Sequence, residues 1–403
     1  METNRNMMYE DRSTKRRILI FSTAYYPFMA GAEIAIKEIT NRLSEDFEFD
    51  LITAKLDKNL KSFEKIGVVN VYRLGSGKPI FDKFFLPFLG AIRAYKLSRQ
   101  NNYFCLWAVM ITFASGAGFL LNILRFLTGK NRIPMVLSLQ EGDSESHLKY
   151  RWAGLISLSW RLALSQTDIL TGLSNFLLNR AKKYGYKGEA VLVPNGVDLS
   201  IFLNEVSLDD KNSLKVKLGK KDEEVFLVTT SRLNHKNAVD DIIRSLVSLP
   251  ENITLIVIGK GEEGQRLQKL ADDLKVAHRV KFLGFLDYEE LPKHLSVCDI
   301  FIRPSRSEGF GNSFIEAMAV GLPVIGTPVG GIPDFLDDKE TGVFCSPDNP
   351  QSIAMAVNLI LSDRELREKI IYNAKDRVVA MYGWDHISQK MKGLAFDRLL
   401  KYV

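Results

Sequence analysis

Cysteine and histidine are scarce in this chain, and acidic metal-binding motifs are missing. The three cysteines, Cys105, Cys298 and Cys345, lie far apart, two of them within apolar runs, so neither a disulfide framework nor a thiolate metal site follows. The five histidines, His147, His235, His278, His294 and His386, form no i, i+4 pair, and no Asp-x-Asp occurs. The expectation is chemistry that needs no metal and no cofactor. An apolar secretory segment is lacking too: Lys15-Arg16-Arg17 runs directly into a strand-like Ile-Leu-Ile-Phe-Ser, which argues for a cytoplasmic protein. Residues 100–124 carry no charge and could in length span a bilayer. Asn101, Asn102, Thr112, Ser115, Gly116, Gly118 and Asn122 interrupt them, giving a buried strand, a loop over 112–117 and an amphipathic helix.

What is present is enough apolar material for two cores: 403 residues, 46% hydrophobic. Charge is uneven, with 27 Lys and Arg against 18 Asp and Glu in residues 1–200 and 27 against 30 in the rest. The basic half suits a membrane surface or a lipid-phosphate acceptor better than nucleic acid. Residues 81–88, Phe-Asp-Lys-Phe-Phe-Leu-Pro-Phe, and the helix beyond Gly116 suit shallow, peripheral contact with the inner face of a cell membrane.

Apolar runs at 17–22, 49–53, 68–72, 104–110, 135–139, 169–171 and 190–193 alternate with helix-like segments, the pattern of a parallel sheet with crossover helices. The second half repeats it at 225–230, 253–258, 280–283, 300–302, 323–326 and 342–344. This is an α/β chain of two doubly wound domains, each with its ligand crevice at the carboxyl ends of its strands, so that facing domains would share one cleft. The boundary falls near Pro194-Asn-Gly-Val-Asp198. Residues 1–197 with the terminal helix 386–403 form one domain and 198–385 the other.

The stretch Ser307-Glu-Gly-Phe-Gly-Asn-Ser-Phe-Ile-Glu316 carries the most chemistry. Gly309 and Gly311 let backbone turn and approach a ligand, and the run from Ser313 to Val320 reads as a helix stopped by Gly321. The free amides at that helix start suit a pyrophosphate. Ser313 and Glu316 also have capping-box spacing, which would fold Glu316 back on its own helix end. Glu308, in a glycine-rich loop, has no core to serve. Upstream, the strand at 225–230 runs into Ser231-Arg-Leu-Asn-His-Lys236-Asn, placing a guanidinium fork and a flexible ammonium where the crevice should lie.

Glu308 and Glu316 together resemble the paired-glutamate motif of retaining, nucleotide-sugar-dependent glycosyltransferases of family 4, with the GT-B fold. The resemblance runs from about Ile18 to Trp384. It implies that Arg232 and Lys236 hold the donor diphosphate, that Glu308 meets the hydroxyls of the transferred sugar, and that Glu316 takes the ribose. Gly309, Phe310, Gly311, Asn312, Ser313 and Phe314 complete the donor-binding loop. In the first half, Ala30-Gly31-Ala-Glu33 resembles the family's Gly-Gly-x-Glu loop, with Ala30 in place of the first glycine, so Gly31 is assigned to the donor side and Glu33 to the acceptor side. Gln140-Glu141-Gly142-Asp143 stands where many relatives carry an acceptor-site histidine, leaving Gln140, Glu141 and Asp143 to orient the acceptor. The family also implies a terminal helix that crosses back to the first domain. The reaction expected is sugar transfer from a nucleotide-diphosphate sugar to a glycan or a lipid-linked acceptor; a phosphorylase or nucleotide-sugar epimerase on the same fold is the alternative.

One rival motif occurs. Gly259-Lys-Gly261-Glu-Glu-Gly264 follows a strand and opens a helix, with Asp287 as ribose partner, the outline of a dinucleotide fingerprint. Glu262 and Glu263, however, sit where a pyrophosphate would approach.

Overall fold

The computed structural model describes residues 15–111, 113–142 and 155–402. One sheet has the strands β1 (Arg16–Phe21), β2 (Phe47–Ala54), β3 (Phe63–Ile66), β4 (Val69–Leu74), β5 (Tyr103–Val109), β6 (Met135–Leu139), β7 (Ile169–Gly172) and β8 (Glu189–Leu192), in the order β3-β4-β2-β1-β5-β6-β7-β8. The other has β9 (Val225–Thr230), β10 (Ile253–Ile258), β11 (Val280–Gly284), β12 (Ile300–Arg303), β13 (Val324–Gly326) and β14 (Val343–Phe344), in the order β11-β10-β9-β12-β13-β14. All thirteen expected strands are found. β3 is the addition: its Phe-Glu-Lys-Ile sequence pairs antiparallel with β4 at a sheet edge, where charged residues hide a strand from any apolar pattern.

By its internal packing the chain divides into two compact units. One comprises the residues up to Leu137 with 166–168 and 396–403; the other comprises 138–165 with 169–395. In the first unit the parallel order reverses between β1 and β5. Of the terminal segment, expected as one helix over 386–403, only residues 396–403 belong to this unit, and the segment is not one continuous helix. An α-helix, Trp384–Met391, gives way to a π-helical turn, Lys392–Phe396, and a 3-10 stretch, Asp397–Tyr402. Phe396 is fully buried edge-on against Phe47 and Trp107, with ring centroids 5.5 Å apart in each pair, and Asp397 bridges Arg16 at 2.7 Å. The loop expected over 112–117 is shorter, because a helix, Ala114–Leu127, already contains Gly116 and Gly118. Both glycines serve close packing: a Cβ on Gly116 would lie 3.2 Å from Pro87, and one on Gly118 3.0 Å from Met135. No helix among the described residues is long and apolar enough to cross a membrane.

In the second unit β10, Ile-Thr-Leu-Ile-Val-Ile, is buried along its whole length, as a central parallel strand covered on both faces must be. Val197 pairs with Gly383 and takes the Tyr382 carbonyl at 2.8 Å, which ties the expected boundary segment to the Tyr-Gly-Trp turn. The order of the second sheet reverses between β9 and β12. Loops that leave two neighbouring strands in opposite directions open a crevice at their carboxyl ends.

Candidate active site

The loops that leave β9 and β12 meet at that crevice. After β9 the chain forms a short 3-10 turn, His235–Asn237, whose Lys236 carbonyl accepts the Arg306 amide of the β12 loop at 2.7 Å. The Arg306 side chain fastens the same turn. It donates to the His235 carbonyl at 2.8 Å and is paired with Asp240 at 2.9 Å, Asp241 at 2.8 Å and Asp348 at 2.5 Å. The two expected diphosphate ligands are uncommitted by comparison. Arg232 is 73% exposed in its side chain with Glu262 at 3.9 Å, and the Lys236 ammonium has no hydrogen bond or ion pair among the described residues.

Glu308 is buried, its Oε2 lies 2.5 Å from the Arg303 guanidinium, and its Oε1 accepts the Gly309 amide at 3.0 Å. Arg303 also donates to Ser313 Oγ at 2.7 Å and to Asn237 Oδ1 at 3.1 Å. One guanidinium thus joins the acidic loop, the following helix and the β9 turn. Sequence reasoning passed over Arg303; the available signal was a cation as the last residue of an otherwise apolar, buried strand. It also passed over Gly330-Gly331. A Cβ on Gly330, where φ is +58°, would fall 1.8 Å from the Glu308 carbonyl oxygen, and one on Gly331 2.3 Å from that of Gly309. These glycines let a second loop lie directly on the Glu308 backbone.

The helix Asn312–Val320 starts one residue earlier than expected, with Gly311 as its N-cap at φ +110° and no side-chain cap. The capping box does not form: Ser313 Oγ accepts from Arg303 instead. Glu316 is the fifth residue of this helix, just past its first turn, and is half-buried. Desolvation pushes its carboxyl up to about 7, against the pull of Arg303. Phe310 and Phe314, expected in the donor-binding loop, turn their rings inward. Phe310 packs against Phe335 and Tyr382, and Phe314 against Phe301 and Phe335, so both rings are core and only their backbone remains available to a donor.

The acceptor-side residues are placed as follows. Gly142 abuts Gly309 so closely that a Cβ on Gly142 would lie 2.7 Å from the Gly309 amide nitrogen, and Ser307 Oγ donates to the Gly142 carbonyl at 3.0 Å. Gln140 exchanges hydrogen bonds with Asn195 at 3.3 Å, and Asn195 donates to Asn312 Oδ1 at 3.3 Å. The buried Glu141 carboxylate accepts the Gln140 amide at 3.0 Å. Gln140 and Glu141 are therefore brought to the acidic loop; Asp143 lies outside the described residues. Gly31 opens the helix Gly31–Arg42 of the first unit. Glu33 turns back on that helix, accepting the Ala30 amide at 2.9 Å, and its burial raises the carboxyl above its ordinary range. That makes it a capping residue, a job its spacing from Ala30 hid because alanine carries no capping side chain.

The dinucleotide-like glycines have another purpose. Cβ atoms on Gly259 and Gly261 would fall 1.9 Å from the Ser231 carbonyl oxygen and 2.1 Å from that of Leu233, so the β9 loop already fills the space a pyrophosphate would need. No group of three or more His, Cys, Asp or Glu among the described residues could hold a metal ion.

Known proteins that resemble this chain are glycosyltransferases. The family model for Glycosyltransferase Family 4 matches residues 29–201, and that for Glycosyl transferases group 1 matches residues 210–377. The chain belongs to this glycosyltransferase family. It is 33% identical over 201 residues to the glycosyltransferase MJ1607 of Methanocaldococcus jannaschii, covering 49% of this chain and 52% of that one. It is 30% identical over 236 residues to a GDP-mannose-dependent alpha-(1-6)-phosphatidylinositol monomannoside mannosyltransferase of Mycobacterium tuberculosis, covering 56% and 60%. These matches span little more than half of either relative, whereas the glycosyltransferase MJ1069 of the same archaeon matches at 25% identity over 96% of this chain and 99% of its own. Among solved structures, sucrose-phosphate synthase from Thermosynechococcus elongatus superposes with a TM-score of 0.80 at 21% identity, covering 96% and 100%. Anabaena Alr3699/HepE, in complex with UDP and glucose, does so at 0.75 and 20%, with the same coverage. The fold is GT-B, as expected.

Proposed function

We propose that this protein transfers a hexosyl group from a nucleoside-diphosphate sugar to a glycan or lipid-linked acceptor, with retention of anomeric configuration, at the cytoplasmic side of the cell. The observation that carries the reading is the pair of uncommitted cations, Arg232 and Lys236, on a loop braced against the Glu308 loop. When the bond between sugar and diphosphate breaks, charge builds on the β-phosphate oxygen. Arg232, Lys236 and the free amides at the start of Asn312–Val320 meet it, each well-placed donor contributing roughly 3–4 kcal/mol. These donors do the work a bridging divalent ion does elsewhere, so the reaction needs no metal. Glu308, held by Arg303, keeps lone pairs free to accept sugar hydroxyls. Glu316 accepts the ribose hydroxyls. The acceptor hydroxyl approaches past Gln140 and Glu141 and attacks from the face the leaving group vacates, its proton passing to the departing β-phosphate oxygen.

A GDP- or UDP-hexose is the first donor to try, because a similar mannosyltransferase uses GDP-mannose and a similarly folded protein was solved with UDP. The test is nucleoside diphosphate release on mixing donor and acceptor in the presence of a chelator, with the anomeric configuration of the product read by NMR. An inverted product would refute the retaining course. A chelator-sensitive rate would refute the metal-free one.

A further inference from the structure

Two helices of the first unit, Pro79–Leu97 and Ala114–Leu127, pack on each other through small residues: a Cβ on Gly90 would lie 2.9 Å from that of Ala117. Their outer side is apolar. Phe81, Phe84, Phe85, Phe88 and Ile92 follow one another at helical spacing and are each 46–61% exposed, and Phe126 and Leu127 at the end of the second helix are 79% and 72% exposed. A stripe of phenylalanines facing water on a folded protein marks a surface meant to be covered.

Charge identifies the cover. The only carboxylate of Pro79–Leu97, Asp82, is buried and accepts the Ser76 and Gly77 amides at 2.9 and 2.8 Å. Residues 83–140 contain no Asp or Glu at all but seven Lys and Arg, among them the exposed Lys96, Arg99 and Lys130. A second copy of the chain would set these cations against their own kind. We propose that this two-helix surface docks on an anionic lipid bilayer, with the phenylalanine stripe at the boundary of headgroups and acyl chains and the cations at lipid phosphates. The surface lies on the membrane without crossing it. The proposal goes beyond the transfer reading and does not depend on it.

The experiment is flotation of the full chain with vesicles of phosphatidylcholine alone or mixed with phosphatidylglycerol. The protein should float with the mixed vesicles, remain behind with phosphatidylcholine alone, and detach as salt rises. Both the triple variant Phe84→Ser, Phe85→Ser, Phe88→Ser and the charge reversal Lys78→Glu, Lys96→Glu, Arg99→Glu should lower partitioning by about a hundredfold. All six side chains are exposed, so circular dichroism and nucleoside diphosphate binding should be unchanged. No flotation with phosphatidylglycerol at low salt would overturn the proposal. So would wild-type flotation of both variants, or a wild-type dimer in solution that the phenylalanine variant dissolves.

Discussion

The Arg303 guanidinium lies 2.5 Å from the Glu308 carboxylate, and the same guanidinium holds Ser313 and Asn237. This buried pair links the end of β12 to both loops of the crevice. Its removal is expected to be felt in two ways at once. Arg303→Ala leaves Glu308 as an uncompensated buried charge and should cost about 3–5 kcal/mol in denaturant unfolding. Glu308→Gln keeps the shape and the Gly309 contact, so it should unfold closer to wild type while losing turnover. Equal stability of Arg303→Ala and wild type would contradict this pairing.

Arg232→Ala and Lys236→Ala should behave in the opposite manner. Neither side chain supports a core, so melting should be unaffected, while turnover falls by about 2–4 kcal/mol of transition-state stabilisation in each. Steady-state rates beside melting curves check it.

Glu316 gives a pH signature. Its folded-state value of about 7 lies above the ordinary 4.5, so the folded protein holds this proton more tightly than the unfolded chain does. The stability it contributes is complete below about pH 4.5 and is lost as pH rises through 7, to an extent of about 3 kcal/mol. Unfolding midpoints measured across this window should fall for the wild type and stay flatter for Glu316→Gln. Calorimetry separates the two glutamates as well: Glu316→Ala should weaken free nucleoside diphosphate binding, and Glu308→Ala should leave it near normal.

Glycine substitutions test the close approaches. Gly330→Ala and Gly259→Ala each place a Cβ within 2 Å of a carbonyl oxygen, at 1.8 and 1.9 Å, and should destabilise strongly. Gly264→Ala meets nothing nearer than Leu233 Cδ1 at 3.7 Å and should be tolerated. If Gly264 were part of a dinucleotide cradle, its alanine variant would show a nucleotide-binding defect instead.

Much of this was readable before the structure because buried parallel strands are nearly continuous apolar runs, and β10 needs no context to be recognised. The glycine-rich loop and its two glutamates were legible for a similar reason, since short-range backbone demands are written locally. What stayed hidden depends on residues distant in sequence. Arg303 reads as the charged end of a strand until Asn237 and Ser313 come beside it, and Gly330 reads as an ordinary turn until the Glu308 carbonyl is seen above it. The packing of the Phe310 and Phe314 rings was hidden in the same way. Phe335 and Tyr382, which claim Phe310, lie 25 and 72 residues further along the chain.

The most direct test of the central claim is calorimetric titration of nucleoside diphosphates and their hexose conjugates into the wild type and the Arg232→Ala, Lys236→Ala double variant. The account predicts saturable binding of at least one hexose conjugate by the wild type, and a loss of about a hundredfold or more in the double variant at unchanged melting temperature. Unchanged affinity in the double variant, or no binding of any nucleoside diphosphate by the wild type, would contradict it.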